Sequence, residues 1–428
     1  MLKKLIIWTA GIALIIGVIV FSQTRVLAVE INGVNYDDYE YNKLVDFLNQ
    51  PSAVAGKTNA QVLGYGVDKL ETWENKNNRN KVVWDENNPK RTVEITWADG
   101  EYSSDDTGAG SSLSGKLDLS NFSALSKLDV SGNRKITSLN LNGCFTLNEL
   151  YCSFLGLTNL DISTNVNLKA LDCSVNNLID LNVNKNTKLI LLDCRSNKLT
   201  KLDVRKNINL KYLDCGFNKL SRLNVNQNKK LEQLWCGNNR ILSLNVSANI
   251  NLKDFSCGSN KLTKLDASKN IKLKRLWCYS NKLTKLDVSR NKNLDTLSCG
   301  QNKLTKLDIS KNRKLNYIEC GGNKITELDL SKNNTWTDVN TEGNPLSKIS
   351  FKTKGKTFTL SANGKGYVSV DLSMCNCGDL SHGWFRVIAN PKKGVDFVNW
   401  TQNGKEVSYT QWMELSLKKS YNLVANFK

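Results

Sequence analysis

Between about residues 125 and 346 the hydrophobic positions follow neither a helical period nor simple alternation but a step of 21 residues. Leucine fills four columns at that step: Leu189, Leu192, Leu199 and Leu202 make one set, and Leu294, Leu297, Leu304 and Leu307 superimpose on it. Cys152, Cys173, Cys194, Cys215, Cys236, Cys257, Cys278, Cys299 and Cys320 keep the same spacing. Three residues after the cysteines stand Asn176, Asn197, Asn218, Asn239, Asn260, Asn281, Asn302 and Asn323, with Leu155 breaking the series. A second column runs Asn165, Asn186, Asn207, Asn228, Asn249, Asn270, Asn291, Asn312 and Asn333. One such unit cannot bury its leucines alone, so the units must stack as a solenoid.

Two short segments in each unit alternate with period two. Leu192-Asp193-Cys194 and Leu202-Asp203-Val204 are examples. They predict two parallel β-ladders facing one another across a narrow core of Leu, Cys and Val, with coils ~4.8 Å apart and a rod of roughly 50 Å. Asparagine suits the turns, because its amide satisfies backbone groups that the turn leaves unpaired. A coil of 21 residues has no room for a helix beside two strands.

Each unit reads Leu-x-x-Leu-x-Cys-x-x-Asn-x-Leu-x-x-Leu-Asp-Val-x-x-Asn-x-x. This resembles the leucine-rich repeat family in its short bacterial, internalin-like class with two nested half-repeats. The resemblance implies a leucine-rich repeat solenoid, mainly parallel β with two short strands per coil, and a binding role. Weaker lead-in copies lie around Leu117 and Leu128.

The flanks differ. Lys3 and Lys4, an apolar run from Leu5 to Phe21 and the small-residue end Val26-Leu27-Ala28 read as an export signal cleaved after Ala28, with an uncleaved anchor as the alternative. Residues 29–112 predict a small mixed α/β N-terminal cap. Within it, Tyr36 to Asn49 is an amphipathic helix burying Tyr41, Leu44, Val45 and Leu48. Lys81 to Trp97 is a strand pair around Asn87-Asn88-Pro89, with Val83, Thr92, Val93 and Ile95 alternating. A Ser/Gly/Asp-rich linker, Ser103 to Ser114, leads into the solenoid at 113–350.

Residues 351–428 predict a small, mostly β domain, with strands at Phe358 to Ser361, Tyr367 to Leu372, Trp384 to Ala389, Val395 to Trp400 and Tyr421 to Phe427. The runs Ala389-Asn390-Pro391, Phe397-Val398-Asn399-Trp400, Asn403-Gly404-Lys405 and Asn422 to Phe427 resemble the divergent form of the internalin B-repeat module. That resemblance implies an exported bacterial surface protein. Cys375-Asn376-Cys377 departs from the pattern as an insertion.

Composition narrows the chemistry. The single histidine, His382, excludes a His-paired triad in the solenoid and any multi-histidine metal site. Cys375, Cys377 and His382 offer three ligands where a closed zinc site needs four, so neither metal nor cofactor is expected. The cysteine column takes the inward place that Val or Ile holds in the other half-repeat. It therefore reads as buried, unpaired hydrophobe, because stacked parallel side chains suit disulfide geometry poorly. Cys144 occupies the second asparagine column near Cys152, where it is either a plain substitution or a pairing partner.

Of the net charge of +19, residues 116–350 hold +17, from 37 basic and 20 acidic residues. Lys198, Lys219, Arg240, Lys261, Lys282, Lys303 and Lys324 form one cationic column, and Lys201, Arg222, Lys264, Lys285 and Lys306 another. Such stripes fit an extended polyanion such as an anionic wall polymer. Equally, Asp203, Asp266, Asp287 and Asp308 at the next outward position compensate part of the charge, leaving stripes that only keep the rod soluble.

The outward residue between Leu and Cys runs Asp172, Asp193, Asp214, Trp235, Ser256, Trp277, Ser298 and Glu319. Trp235 and Trp277, with Tyr212, Phe217 and Tyr279 nearby, form a candidate site for a protein or glycan ligand on a cell surface. No nucleotide loop, HExxH, GxSxG or paired-carboxylate pocket is visible. The expectation is a secreted or cell-surface, non-enzymatic binding or adhesion protein with a basic flank for envelope polymers. Nucleic acid is not expected as a partner, nor is a membrane except through an uncleaved N-terminal segment. Two alternatives are a wall-associated structural protein that binds polyanions only, and a non-catalytic accessory of an extracellular enzyme system.

Overall fold

A computed structural model describes residues 28–66, 69–73, 80–98, 113–333, 338–353, 356–371, 384–416 and 419–428. The apolar run Leu5 to Phe21, and Cys375, Cys377 and His382, lie outside the described residues. Among the described residues no helix is long and apolar enough to cross a membrane.

The solenoid is as the repeat demands. Three-residue strands at 21-residue intervals, such as Leu191–Asp193, Tyr212–Asp214, Gln233–Trp235, Asp254–Ser256 and Arg275–Trp277, pair in parallel and in register. Leu192 meets Leu213, which meets Leu234. The leucines and all nine column cysteines are buried in one continuous apolar core. The ten described cysteines, Cys144 included, are free.

Asparagine closes each coil against its neighbour. In the first column Asn197 donates from Nδ2 to the carbonyls of Cys173, one coil back, at 3.0 Å and Cys194 at 3.1 Å, while its Oδ1 accepts the Leu178 N–H at 2.9 Å. In the second column Asn207 donates to the carbonyls of Val183 at 3.0 Å and Asn186 at 2.8 Å. The Oδ1 atoms of all nine second-column asparagines are buried without a partner. Cys144 is a plain substitution in that column. Its Sγ donates to the Leu119 carbonyl at 3.0 Å, as Asn165 Nδ2 does to Leu141 at the same distance.

The second strand of each coil departs from expectation. Segments such as Leu202-Asp203-Val204 bury their leucine and valine as expected, yet they form a ladder only at the solenoid's ends. There Ser114–Asp118 pairs with Lys135–Asn140, and Glu327–Leu330 with Lys348–Thr353. Middle coils carry one strand, and on the opposite wall the Asn207 amide holds the Val183 carbonyl while Asp203 Oδ1 accepts the Arg205 N–H at 3.1 Å. The same caps stand in the paired end coils, where Asp118 accepts from Ser120 and Asp329 from Ser331, so the caps do not exclude a ladder.

These coils also bend through a left-handed residue just before the first-asparagine position, which Leu155 fills in the first of them: Phe154, Val175, Ser196, Phe217, Asn238, Ser259, Ser280 and Gln301 have φ between 50° and 56°. Only Asn and Gly adopt this region readily, so the stacked coils impose it on the others, at roughly 1–2 kcal/mol each.

Both ends are covered. Asn80–Trp84 and Thr92–Trp97 form an antiparallel hairpin, and Thr92–Trp97 continues the main ladder by pairing in parallel with Lys127–Asp129. Val82 and Trp84 alternate inward, with Val83 half-buried between them; the register shift leaves Val93 as the extra, half-buried residue of the other strand, so that Thr92 is buried as well as Ile95 and Trp97. The helix spans Asp38–Leu48 and is capped by Asp37, whose carboxylate accepts the Glu40 N–H at 3.2 Å. It buries Leu44 and Leu48 as expected, with Tyr41 and Val45 half-buried. It also buries Phe47, stacked on Trp97 at 5.5 Å, and Glu40, which accepts the Thr92 N–H at 2.7 Å.

At the other end Asn340 pairs antiparallel with Asp371, which joins the ladder to the sheet of Gly366–Asp371, Trp384–Pro391 and Trp412–Ser416. Lys348–Thr353 links the opposite wall to Lys356–Asn363, Tyr421–Phe427, Phe397–Gln402 and Lys405–Ser408. The main ladder, and the last coil of the opposite wall, thus each run into one sheet of the C-terminal region.

Candidate binding face

The outward face of the ladder is two residues wide in every coil. The residue before each inward leucine forms one column: Ala170, Leu191, Tyr212, Gln233, Asp254, Arg275, Thr296 and Tyr317. The residue after it forms the other, which holds Trp235 and Trp277. Both columns vary from coil to coil, so sequence reasoning confined to the second missed half of the face.

Trp235 and Trp277 stand two coils apart, yet their rings lean together across Ser256, with centroids 5.4 Å apart and planes at 36°. They form one apolar ridge. Trp235 is 36% exposed and Trp277 is half-buried. The Arg275 guanidinium lies 5.8 Å over the Trp277 ring while its Nε donates to Asp254 Oδ1 at 2.5 Å. Gln233 Nε2 donates to the other oxygen of Asp254 at 3.2 Å. Gln233, Asp254 and Arg275 are thus tied along the adjoining column and flank the ridge; the period alone did not single them out.

The other candidate aromatics divide. Tyr212 is half-buried one coil before Gln233, and Tyr279 is half-buried over Gly258, where an added Cβ would meet its ring at 2.6 Å. Phe217, on a left-handed corner, is 60% exposed. None of the three makes a ring contact with the tryptophan pair among the described residues.

Beside the ridge lies an acidic stack that the sequence displayed without its consequence. Asp172, Asp193 and Asp214 are in register on successive strands. Burial, with the Asp172 and Asp214 carboxylates adding to it, pushes Asp193 up to about 7, and burial also raises Asp214. Arg195 lies 3.5 Å from Asp193 and 3.6 Å from Asp214. The cysteines take no part in this face. Burial holds their thiols well above the ordinary value, and pushes Cys278 and Cys320 up to about 12, so they are poor nucleophiles. Among the described residues no group of three His, Cys, Asp or Glu side chains could hold a metal ion.

The cationic columns lie in the other half-repeat and are exposed. Among the described residues only Lys201 of the twelve forms an ion pair, with Asp180 at 3.7 Å. The aspartates expected to compensate them are occupied as turn caps. Asp203, Asp266, Asp287 and Asp308 accept the N–H groups of Arg205, Ser268, Ser289 and Ser310 at 2.9–3.1 Å. The Arg205 side chain beside Asp203 also holds that carboxyl down to about 2.

No protein-family model and no curated protein matches the chain. Among solved structures, an internalin of Listeria monocytogenes, InlF, aligns with 71% of this chain and 82% of its own length at 17% identity and a TM-score of 0.53. The functional domain of InlJ from the same organism, described as including a cysteine ladder, covers 73% of this chain and 90% of its own at 24% identity, with a TM-score of 0.35. A leucine-rich repeat protein of Leptospira interrogans covers 55% and 85% at 21% identity, with a TM-score of 0.34. With its 21-residue coils and single parallel ladder, the chain has an internalin-like leucine-rich repeat fold.

Proposed function

We propose that this is an exported, non-enzymatic scaffold that binds a protein ligand on its ladder face, at the coils centred on Trp235 and Trp277. The observation that carries the reading is the tryptophan pair. Two large side chains rest on each other outside a core that is complete without them, and the polar trio Gln233, Asp254 and Arg275 holds its place beside them. An aromatic ridge with a guanidinium at its edge is the composition of an interface hot spot. The InlF likeness supports the scaffold but says nothing of the ligand.

The test is a screen of residues 29–428 against arrays of surface proteins and glycans, repeated with Trp235→Ala, Trp277→Ala. Specific binding should vanish while the unfolding midpoint moves little. Hits that survive the double change would place the site elsewhere.

A second reading concerns the basic flank. Eleven column cations lack an ion pair among the described residues, which favours salt-sensitive attraction to anionic envelope polymers over neutral solubility. Retention on heparin or wall polysaccharide should fall steeply between low and physiological salt. Retention unchanged by replacing Lys261, Lys282 and Lys303 with Gln would remove this role.

A further inference from the structure

In the acidic coils the residue between leucine and cysteine also caps its own backbone. Asp129, Asp172, Asp193 and Asp214 accept the N–H groups two residues on, those of Ser131, Ser174, Arg195 and Gly216, at 2.9–3.1 Å. Those N–H groups do not reach the next coil, as the amides on either side do: Cys215 to the Trp235 carbonyl and Phe217 to that of Gly237.

In three successive coils the capping position holds Trp235, Ser256 and Trp277 instead. The N–H groups of Gly237, Gly258 and Tyr279 then have no acceptor among the described residues. The equivalent N–H groups of Ser153 and Gly321 are likewise uncapped among the described residues, but as single coils, not as a run. The backbone course is unchanged, with φ of 54°, 53° and 50° at the following Asn238, Ser259 and Ser280 against 52° at Phe217. The flanking amides of Cys236 and Asn238 reach forward as their counterparts do. The three N–H groups therefore face the side on which carboxylate oxygens stand in the acidic coils. Gly237 and Gly258 are buried, and a buried N–H without a partner is destabilising.

We infer that a partner protein fills this gap with a carboxylate, an Asp or Glu side chain whose two oxygens accept from the N–H groups of the neighbouring Gly237 and Gly258 while an adjoining apolar group rests on the Trp235–Trp277 ridge. The inference builds on the ladder-face reading and names the chemistry of the partner. Two features favour a carboxylate. The same chain places a carboxylate on the equivalent donor in four other coils, and in-register donors ~4.8 Å apart suit the two oxygens of one carboxylate. Glycine suits both positions: a Cβ at Gly237 would crowd the Gly258 carbonyl at 3.1 Å, and one at Gly258 would meet the Tyr279 ring that borders the site at 2.6 Å.

The test uses the full chain, deuterated, with amide resonances followed by NMR. Unliganded, the Gly237, Gly258 and Tyr279 amides should exchange with solvent faster than the capped Gly216 amide. The probe is the acetylated, amidated pentapeptide Tyr-Glu-Leu-Glu-Tyr, which should move the Gly237 and Gly258 amides downfield. Its Gln-for-Glu analogue should bind at least about tenfold more weakly. Ser256→Asp gives Gly258 an internal cap like that of the acidic coils, so the variant should fold and bind the peptide about tenfold more weakly, whereas Ser256→Ala should bind normally. Full binding by Ser256→Asp, or indole shifts without amide shifts, overturns the carboxylate docking and leaves the ladder-face reading standing. The carboxylate docking is also overturned if the peptide moves neither set at millimolar concentration, or if a neutral oligosaccharide moves the same amides instead. If Trp235→Ala, Trp277→Ala retains peptide binding, both readings fall.

Discussion

Asn218 donates from Nδ2 to the carbonyl of Cys194, one coil back, at 3.0 Å, and its Oδ1 accepts the Leu199 N–H of that coil at 3.0 Å. One buried side chain thus closes the turn of its own coil and fixes the distance to the coil before it.

Replacing Asn218 by Ala should therefore cost ~2–4 kcal/mol, since it strands buried donors and acceptors in two coils. Asn228→Ala should cost less, because the Asn228 amide makes two bonds but its Oδ1 makes none. Urea denaturation would rank the pair, and equal losses would contradict this division of labour.

The ladder thiols should be intact and silent. Native protein should react slowly with a thiol reagent, because the column is buried and its thiolates are disfavoured. Unfolding without reductant should release at least the ten free cysteines of the described residues. A count of three or fewer would show that the column had been oxidised.

Acid should favour the acidic stack. Asp193 has a carboxyl pushed up to about 7 when folded, against an ordinary value of 3.8. Between those values the native state holds a proton that the unfolded chain has lost. Stability from this group is therefore full below about pH 4 and falls as pH rises towards 7, by at most ~1.4 kcal/mol per pH unit. Glu40, pushed by burial to about 7, acts in the same direction, so the diagnostic is the difference between wild type and Asp193→Asn. The variant should lose less stability across that window; parallel curves would show that burial and the neighbouring Asp172 and Asp214 carboxylates, opposed by Arg195, do not raise Asp193 when folded.

At the left-handed corner of Val175, with φ 51°, a β-branched residue sits where glycine would be relaxed. Val175→Gly should leave stability unchanged or raise it by up to ~1 kcal/mol, against the loss usual for glycine substitution. A fall of more than ~1 kcal/mol in the denaturant midpoint would mean that the half-buried valine packs better than its backbone suffers.

Much of this architecture was legible in the columns themselves, because a buried position recurring every 21 residues admits few alternatives to stacking. Cys194 and Leu192 could be placed inward from alternation alone. The second wall could not be read so simply. Leu202 and Val204 alternate like a strand, and nothing in hydropathy distinguishes them from Leu328 and Leu330, which do pair with the next coil. In the hairpin, Val82 and Trp84 take the inward phase in place of Val83, and a bulge at Val93 breaks the alternation between Thr92 and Ile95, which are both buried. The tryptophans were visible as anomalies in a column, but their contact was not. The ring separation of 5.4 Å depends on both indoles leaning over Ser256, and side-chain lean has no signature in spacing.

Because the main ladder runs from the hairpin at one end into a C-terminal sheet at the other, its hydrogen bonds point along the axis of the stack. Tension applied between the two ends would load those bonds head-on, one coil at a time, instead of shearing many together. Each detached coil of 21 residues would convert ~4.8 Å of rod into roughly 70 Å of slack chain. A tether between a surface and a moving partner would then lengthen in even steps under load, absorbing a jerk while the coils still stacked keep hold of the ligand.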